Sequence, residues 1–391
     1  MSRFLFVVPP LVGHINPTVG VAAELVAHGH RVAWACPRPA LVARLAGADA
    51  EVFGCAGAAP GERPAELRGP EALRFLWEWY LLPLAEAMAP GVRAAVGAFR
   101  PDVVVADQQA FAGALTAERL GLPWATSATT SAEFTDPLAG LPKVRDWLAE
   151  RLAGLRSALG APAAGPDPRF SPRLVLAFST PELAGTAAPD TVRWVGPSVA
   201  GRPDAASGFP WEWLDPGRAT VLVSLGTANT DVGGRFLDTC RSVLRERADR
   251  VQSVLADPGG VLGTEGREHD KDVLIVPSVP QLALLERGVD AVLCHAGHNT
   301  VCEALWHGVP LVVAPIRDDQ PVVAGQVVDA GAGVRVRFGR VTARALGAAV
   351  DSVLDDPAYQ RAAARIRTAF RAAGGASAAA THLTELAEES G

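Results

Sequence analysis

Residues 294 to 310 read CHAGHNTVCEALWHGVP, and this stretch decides how the rest of the chain is read. The apolar run Ala291-Val-Leu-Cys294 leading into it is short enough for a buried strand, and the residues after it have helical spacing up to a His-Gly-Val-Pro stop. His295, Gly297, His298, Asn299 and Thr300 therefore crowd one strand-to-helix junction. In open α/β sheets ligands collect at the carboxyl ends of strands, where helix N-termini present backbone N–H groups and the positive end of the helix dipole. Gly297 lets the backbone approach a ligand closely, while Asn299 and Thr300 open the helix and can donate to phosphate oxygens. Glu303 lies one turn further along the same face, placed to accept hydrogen bonds from ribose hydroxyls. Taken singly, Asn299 reads as a helix cap and His295 as a core residue. Their clustering favours a nucleoside diphosphate site.

Outward from this junction the same alternation recurs. "RFLFVV", "RVAWAC", "DVVVAD", "WATSA" and "LVLAFS" precede a Pro/Gly/Ser-rich break at Gly196–Pro210, and "TVLVSLG", "VQSVLA", "VLIVPS", "AVLCHAG" and "LVVAPI" follow it. Short apolar runs between helical patterns predict parallel sheets covered on both faces. The expected organisation is two doubly wound Rossmann-like domains. The first covers 1–200, a linker 201–212, the second 213–374, and a terminal helix over 375–391 returns to the first. In that last segment Ala378, His382, Leu383 and Leu386 form the expected apolar stripe, and the helix is expected to touch both domains. The first helix is expected from about Pro17, capped by Asn16. "PDVVVADQQAFAGALTAERLGLP" and "VDAVLCHAGHNTVCEALWHGVP" run in parallel, from an Asp through a strand and a polar turn to a terminal Gly-x-Pro; duplication and mere α/β alternation account for this about equally.

The totals bound the function. A length of 391 residues suits two cores, and a net charge of -6 with pI near 5.8 gives no basic field for nucleic acid. Five scattered cysteines with no metal-ligand spacing read as reduced thiols of a cytoplasmic protein. The apolar N-terminus is broken by Pro9, Pro10, His14 and Asn16, so neither a signal peptide nor a membrane span is expected. No feature of the chain points to an oligomeric state.

"HAGHNTVCEALWHGVPLVVAPIRDDQ" resembles the donor-binding signature of the family 1 nucleotide-sugar-dependent glycosyltransferases, whose fold is GT-B, two such domains facing across a cleft. "VPSVPQLALLERGVDAVLC", "VSLGT" and "GHINPTVGVAAELVAHGHRV" resemble the family's other landmarks in the right order. The resemblance implies that His295, Asn299 and Thr300 contact the diphosphate with Gly297 beside them, Glu303 the ribose, and Asp319 with Gln320 the transferred sugar. It places Gln281 and the backbone of Val279 near the nucleobase, and Gly226-Thr227 under the phosphates. Ser278 stands where many members carry a Trp that stacks on uracil, and His298 departs from the plant pattern, which leaves UDP and dTDP donors both open.

The resemblance also implies a base and a supporting acid at His14 and Asp107. Their positions agree with it: His14 follows the first strand beside a helix N-terminus, where an imidazolium is disfavoured, and Asp107 ends the "DVVVAD" strand. The implied reaction is an inverting, metal-independent transfer of a hexose to a hydroxyl of a hydrophobic acceptor, a polyketide or aromatic natural product. Neither cofactor nor metal is expected, since the resemblance matches "RDD" at 317–319 to the sugar-binding position and not to a metal site. Trp77, Trp79, Phe111 and Phe134 are candidates for the acceptor wall, although aromatics at helical spacing are more often core than pocket. A nucleotide-sugar 2-epimerase and a non-catalytic auxiliary protein of the same fold are the competing readings; the second would be expected to lose His14 or Asp107.

Overall fold

The computed structural model describes residues 1–58, 64, 67, 69–135, 140–186, 188–199, 208–226, 233–263 and 270–390. The chain divides into two compact units, Met1–Pro203 with Phe370–Gly391, and Asp204–Ala369. Of the expected linker 201–212, residues 201–207 lie outside the described residues.

In the first unit the strands are β1 (Arg3–Val7), β2 (Arg31–Cys36), β3 (Val52–Gly54), β4 (Val103–Asp107), β5 (Trp124–Ala128), β6 (Val175–Ala177) and β7 (Val192–Trp194). They form one sheet in the order β3-β2-β1-β4-β5-β6-β7, every pair parallel. Strand side chains alternate in direction, and here both faces are covered. Phe4, Phe6 and Val8 pack beneath the helices Val12–Ala27 and Gly375–Glu388, while Leu5 and Val7 pack against Leu84, Met88 and Val92 of the helix Leu82–Phe99. Each fully buried side chain of this size contributes about 1.5–3 kcal/mol of transfer free energy.

The second unit holds β8 (Ala219–Ser224), β9 (Val251–Ala256), β10 (Val273–Val276), β11 (Ala291–Cys294), β12 (Leu311–Val313) and β13 (Gly333–Arg335), in the order β10-β9-β8-β11-β12-β13, again all parallel. Val221 and Val223 meet the helices Gly234–Arg245 and Ala343–Asp355 through Phe236, Cys240, Leu346 and Val350. In both sheets the chain starts in the middle, winds outward to one side, then returns to the other. The carboxyl ends of β1 and β4, and of β8 and β11, flank the two points where the winding reverses.

Several expectations need correction. The first helix begins at Val12, not Pro17: Leu11 is extended (φ -123, ψ 130) and its carbonyl accepts from His14 N and Ile15 N, both at 3.1 Å. Pro17 falls inside the helix, and Asn16 is not its cap. In the terminal helix the buried stripe is Ala376, Ala379, Ala380, Leu383, Leu386 and Ala387, with Ala378 half-buried against it; His382 lies off it and meets Glu385 at 3.0 Å on the surface. That helix packs on the first unit, where Gly375 N donates to the Val195 carbonyl. The short strands β3, β7 and β13 are not among the expected ones; none lies in an apolar run as long as those around β6 and β12.

Candidate functional site

At the reversal point of the first unit, His14 lies in the first turn of the helix that follows β1. Asp107 closes β4, one register position beyond the Val7–Ala106 pair. Their side chains meet: His14 Nδ1 is 2.9 Å from Asp107 Oδ1 and 3.0 Å from Oδ2. The carboxylate side chain is 0% exposed and the imidazole 16%, so the acid is held inside while the ring reaches the surface. Gln109 N donates to Asp107 Oδ1 at 2.8 Å, fixing the carboxylate from the turn after β4.

Two further groups belong to this place. Thr129, in the loop after β5, has its hydroxyl 2.8 Å from His14 Nδ1 and donates to Asp107 Oδ2 at 3.0 Å. Its only sequence signal is the hydroxyl run "TSATTS" at the carboxyl end of a strand. Tyr80 sits in a π-helical turn, Leu76–Leu81, inserted in the long helix; such insertions frequently mark functional positions. Its buried hydroxyl has no hydrogen-bond partner among the described residues, and burial, then the charge of Asp107, pushes the phenol well above its usual range.

In the second unit Ser224, Cys294 and Val313 stand level in register, so the loops after β8, β11 and β12 emerge side by side. Each turns through a left-handed residue: Gly226 (φ 72), Ala296 (φ 65) and Asp318 (φ 57). Among the described residues only three non-glycines have positive φ, and two of them are here, a concentration of backbone strain of the kind found at ligand sites. His295 is 8% exposed and wedged between two glycines: a Cβ on Gly297 would lie 2.3 Å from its Nε2, and one on Gly226 2.7 Å from its Cε1. Its Nδ1 is buried without a hydrogen-bond partner among the described residues. Burial pushes the imidazole down to about 4, with the Arg317 cation adding to the fall and the Ser224 backbone opposing it.

The helix His298–Trp306 is capped by Gly297, not Asn299, which puts Asn299 and Thr300 in its first turn. Glu303 is buried and accepts from Gln281 Nε2 at 2.5 Å, so Gln281, at the start of the helix after β10, is brought onto the same face. Val279 lies just before that helix. Asp319 caps the helix Gln320–Asp329, and Gln320 Oε1 accepts from Ile316 N (2.9 Å) and Arg317 N (3.1 Å), bracing the loop after β12. Thr227 lies outside the described residues.

The four aromatic candidates do not form one wall. Trp77 and Phe111 stack at 5.3 Å inside a core with Leu81, Leu115 and Leu148, a correction to their expected place on an acceptor wall. Phe134 packs on Phe170 and Trp194 in a separate cluster. Trp79 is 60% exposed and stacks on Phe75. Period alone cannot separate core from pocket, because both place apolar residues on one helix face.

Among the described residues the five cysteines form no disulfide, and burial raises Cys36 and Cys55 to about 11 and Cys294 to about 12. Among the described residues no three His, Cys, Asp or Glu form a metal-sized group, and no helix is long and apolar enough to cross a membrane.

Comparison with known proteins gives this geometry a family. The pattern of the UDP-glucoronosyl and UDP-glucosyl transferase family matches residues 213–371. The 4'-demethylrebeccamycin synthase of Lentzea aerocolonigenes is 32% identical, over 95% of this chain and 96% of its own. Among solved structures, the glycotransferase of kitacinnamycin has a TM-score of 0.81 at 28% identity, covering 98% of both chains. The spinosyn rhamnosyltransferase SpnG, complexed with thymidine diphosphate, has a TM-score of 0.75 at 25% identity, covering 98% of this chain and 100% of that one. With two doubly wound domains, each with a polar site at its reversal point, and with this likeness along nearly its whole length, the chain belongs to the family 1 glycosyltransferases of GT-B fold, enzymes of the natural-product type that use a nucleotide-sugar donor.

Proposed function

We propose that the protein is an inverting hexosyltransferase that takes a UDP- or dTDP-activated sugar and glycosylates a hydroxyl of a hydrophobic small molecule, a polyketide or aromatic natural product, in the cytoplasm. The observation that carries this reading is the His14–Asp107 pair at 2.9 Å. With Nδ1 engaged by the carboxylate, Nε2 takes the acceptor's hydroxyl proton. The oxygen then attacks the anomeric carbon from the face opposite the diphosphate, the anomeric C–O bond breaks, and its electron pair leaves on the diphosphate. General-base help of this kind is typically worth roughly 10² to 10⁴ in rate.

His295, Asn299 and Thr300 take the diphosphate, Gly226 and Gly297 letting it approach; Gln281 and Val279 face the nucleobase, Glu303 the ribose, and Asp319 with Gln320 the sugar. Leaving-group charge then falls on the N-terminus of the helix His298–Trp306, so no metal or other cofactor is required. The thymidine diphosphate bound by SpnG supports a dTDP donor, and the products named for the relatives support a natural-product acceptor. Of the four aromatic candidates, exposed Trp79 is the one retained for that acceptor.

The test is to incubate the pure protein with UDP-glucose and dTDP-glucose, with and without EDTA, and to follow nucleoside diphosphate release and the anomeric configuration of the glycoside by NMR. Release with inversion, unaffected by EDTA, is the expected result. Retention of configuration would remove the single-displacement mechanism, and loss of activity with EDTA would remove its metal-free form.

A further inference from the structure

We infer that Thr129 is a positioning residue for the base, the third member of a His14–Asp107–Thr129 unit; this rests on the reading of His14 as the base. Three oxygens surround His14 Nδ1: Asp107 Oδ1 at 2.9 Å, Asp107 Oδ2 at 3.0 Å and Thr129 Oγ1 at 2.8 Å. An unprotonated Nδ1 would set its lone pair against two carboxylate oxygens, so this nitrogen carries the proton and points it into the group.

The Thr129 hydroxyl has a single hydrogen, and that hydrogen goes to Asp107 Oδ2 at 3.0 Å. Its lone pairs therefore face the Nδ1 proton, and the three groups close a triangle in which every contact has the right polarity. Gln109 N holds Oδ1 at 2.8 Å, so Thr129 is the matching clamp on Oδ2. With both oxygens held, the carboxylate cannot rotate away from the ring, and the ring cannot turn without losing two partners. Thr129 and Asp107 are themselves buried, which keeps water from replacing either bond.

The triangle also draws on three separate elements, the first turn of the helix after β1, the end of β4 and the loop after β5. Asp107 and Ser127 are register partners in adjacent strands, so the sheet brings the Thr129 loop beside the carboxylate without any local sequence motif.

The experiment is a mutant cycle on the full chain with UDP-glucose and dTDP-glucose as the donors. Thr129→Val keeps the side-chain shape and removes the hydroxyl; it is expected to lower kcat about 10- to 100-fold, a part of what general-base catalysis supplies, with donor KM within about twofold of wild type. Thr129→Ser, which restores the hydroxyl, is expected to return within about threefold. In an Asp107→Ala background the same Thr129→Val change is expected to cost less than about threefold, because the group through which it acts is gone. Additive losses in the cycle, a Ser variant as poor as Val, or a Val variant with wild-type kcat would each overturn the assignment. Melting temperature is followed in parallel: a drop shared by Val and Ser without the cycle's coupling identifies a packing role and also overturns it. Full activity in His14→Ala is a different failure, since it removes the base and not the clamp.

Discussion

The two reversal points are built on the same plan and finished in opposite ways. In each, a central strand and its neighbour across the reversal end level with one another, and a histidine sits just beyond one of them. In the first unit the histidine's inner nitrogen is saturated: His14 Nδ1 has carboxylate and hydroxyl oxygens within 3.0 Å. In the second unit the inner nitrogen of His295 has no partner among the described residues, the ring is pressed between two glycines, and the surrounding backbone holds strained left-handed residues. A group whose hydrogen bonds are completed within the protein is held in place ready to react. A group buried with bonds unmade is costly until a ligand completes them. The comparison assigns chemistry to the first site and binding to the second.

The largest expected effect breaks the first half of that comparison. His14→Ala should lower transfer by roughly 10² to 10⁴ while nucleotide affinity stays within a few fold, because the base touches the acceptor and not the donor. Steady-state kinetics alongside calorimetry with the free nucleoside diphosphate separates the two quantities. Asp107→Asn should be milder, since the ring survives with a poorer orienting partner. An Asn variant as active as wild type would make Asp107 a purely structural acid.

Next in size are changes in the second unit, where binding should fall and the chemical step should not. His295→Ala and Glu303→Ala are each expected to weaken nucleoside diphosphate binding by about 1–3 kcal/mol, the cost of losing a hydrogen bond to a charged or buried partner. Gly297→Ala places a methyl 2.3 Å from His295 Nε2 and should weaken binding through displacement of the ring. Equal losses of kcat from both sites, with unchanged affinity, would erase the distinction between them.

Much of this was legible in the sequence because both sites sit where a short apolar strand ends in polar residues, and that pattern survives without coordinates. Asp107 ends such a run and His295 follows one directly, with Gly297 in the turn and Glu303 in the helix that continue from it. Thr129 was not legible, because its partners are distant in sequence and reach it through strand register. The start of the first helix was misplaced because Pro17 and Asn16 are strong local start signals, whereas Leu11 caps the helix through backbone conformation alone. In the terminal helix, alanine supplies most of the buried stripe, and alanine carries too little hydrophobic contrast to reveal which face it lines. Trp77 and Phe111 illustrate the same ambiguity in larger residues, since a core and a binding wall demand the same periodicity.

The smallest expected effect sharpens the comparison through pH. His295 has an ordinary value of 6.5 once exposed by unfolding, against about 4 when folded. Between those values the unfolded chain binds a proton that the folded one excludes, so stability falls as the pH drops through this window and is fully present only above it. Linkage sets the loss from this one ring at about 1 kcal/mol by pH 6 and about 2 kcal/mol by pH 5, relative to pH 8. Denaturant unfolding of wild type and His295→Asn at these pH values isolates the contribution, since other titrating groups are common to both chains. The Asn variant should show the shallower decline. Nucleotide affinity should stay level between pH 6 and 8, because a neutral imidazole is already the form present. A matching acid dependence in both chains would mean that His295 charges freely in the folded protein, and its burial would then no longer separate the second site from the first.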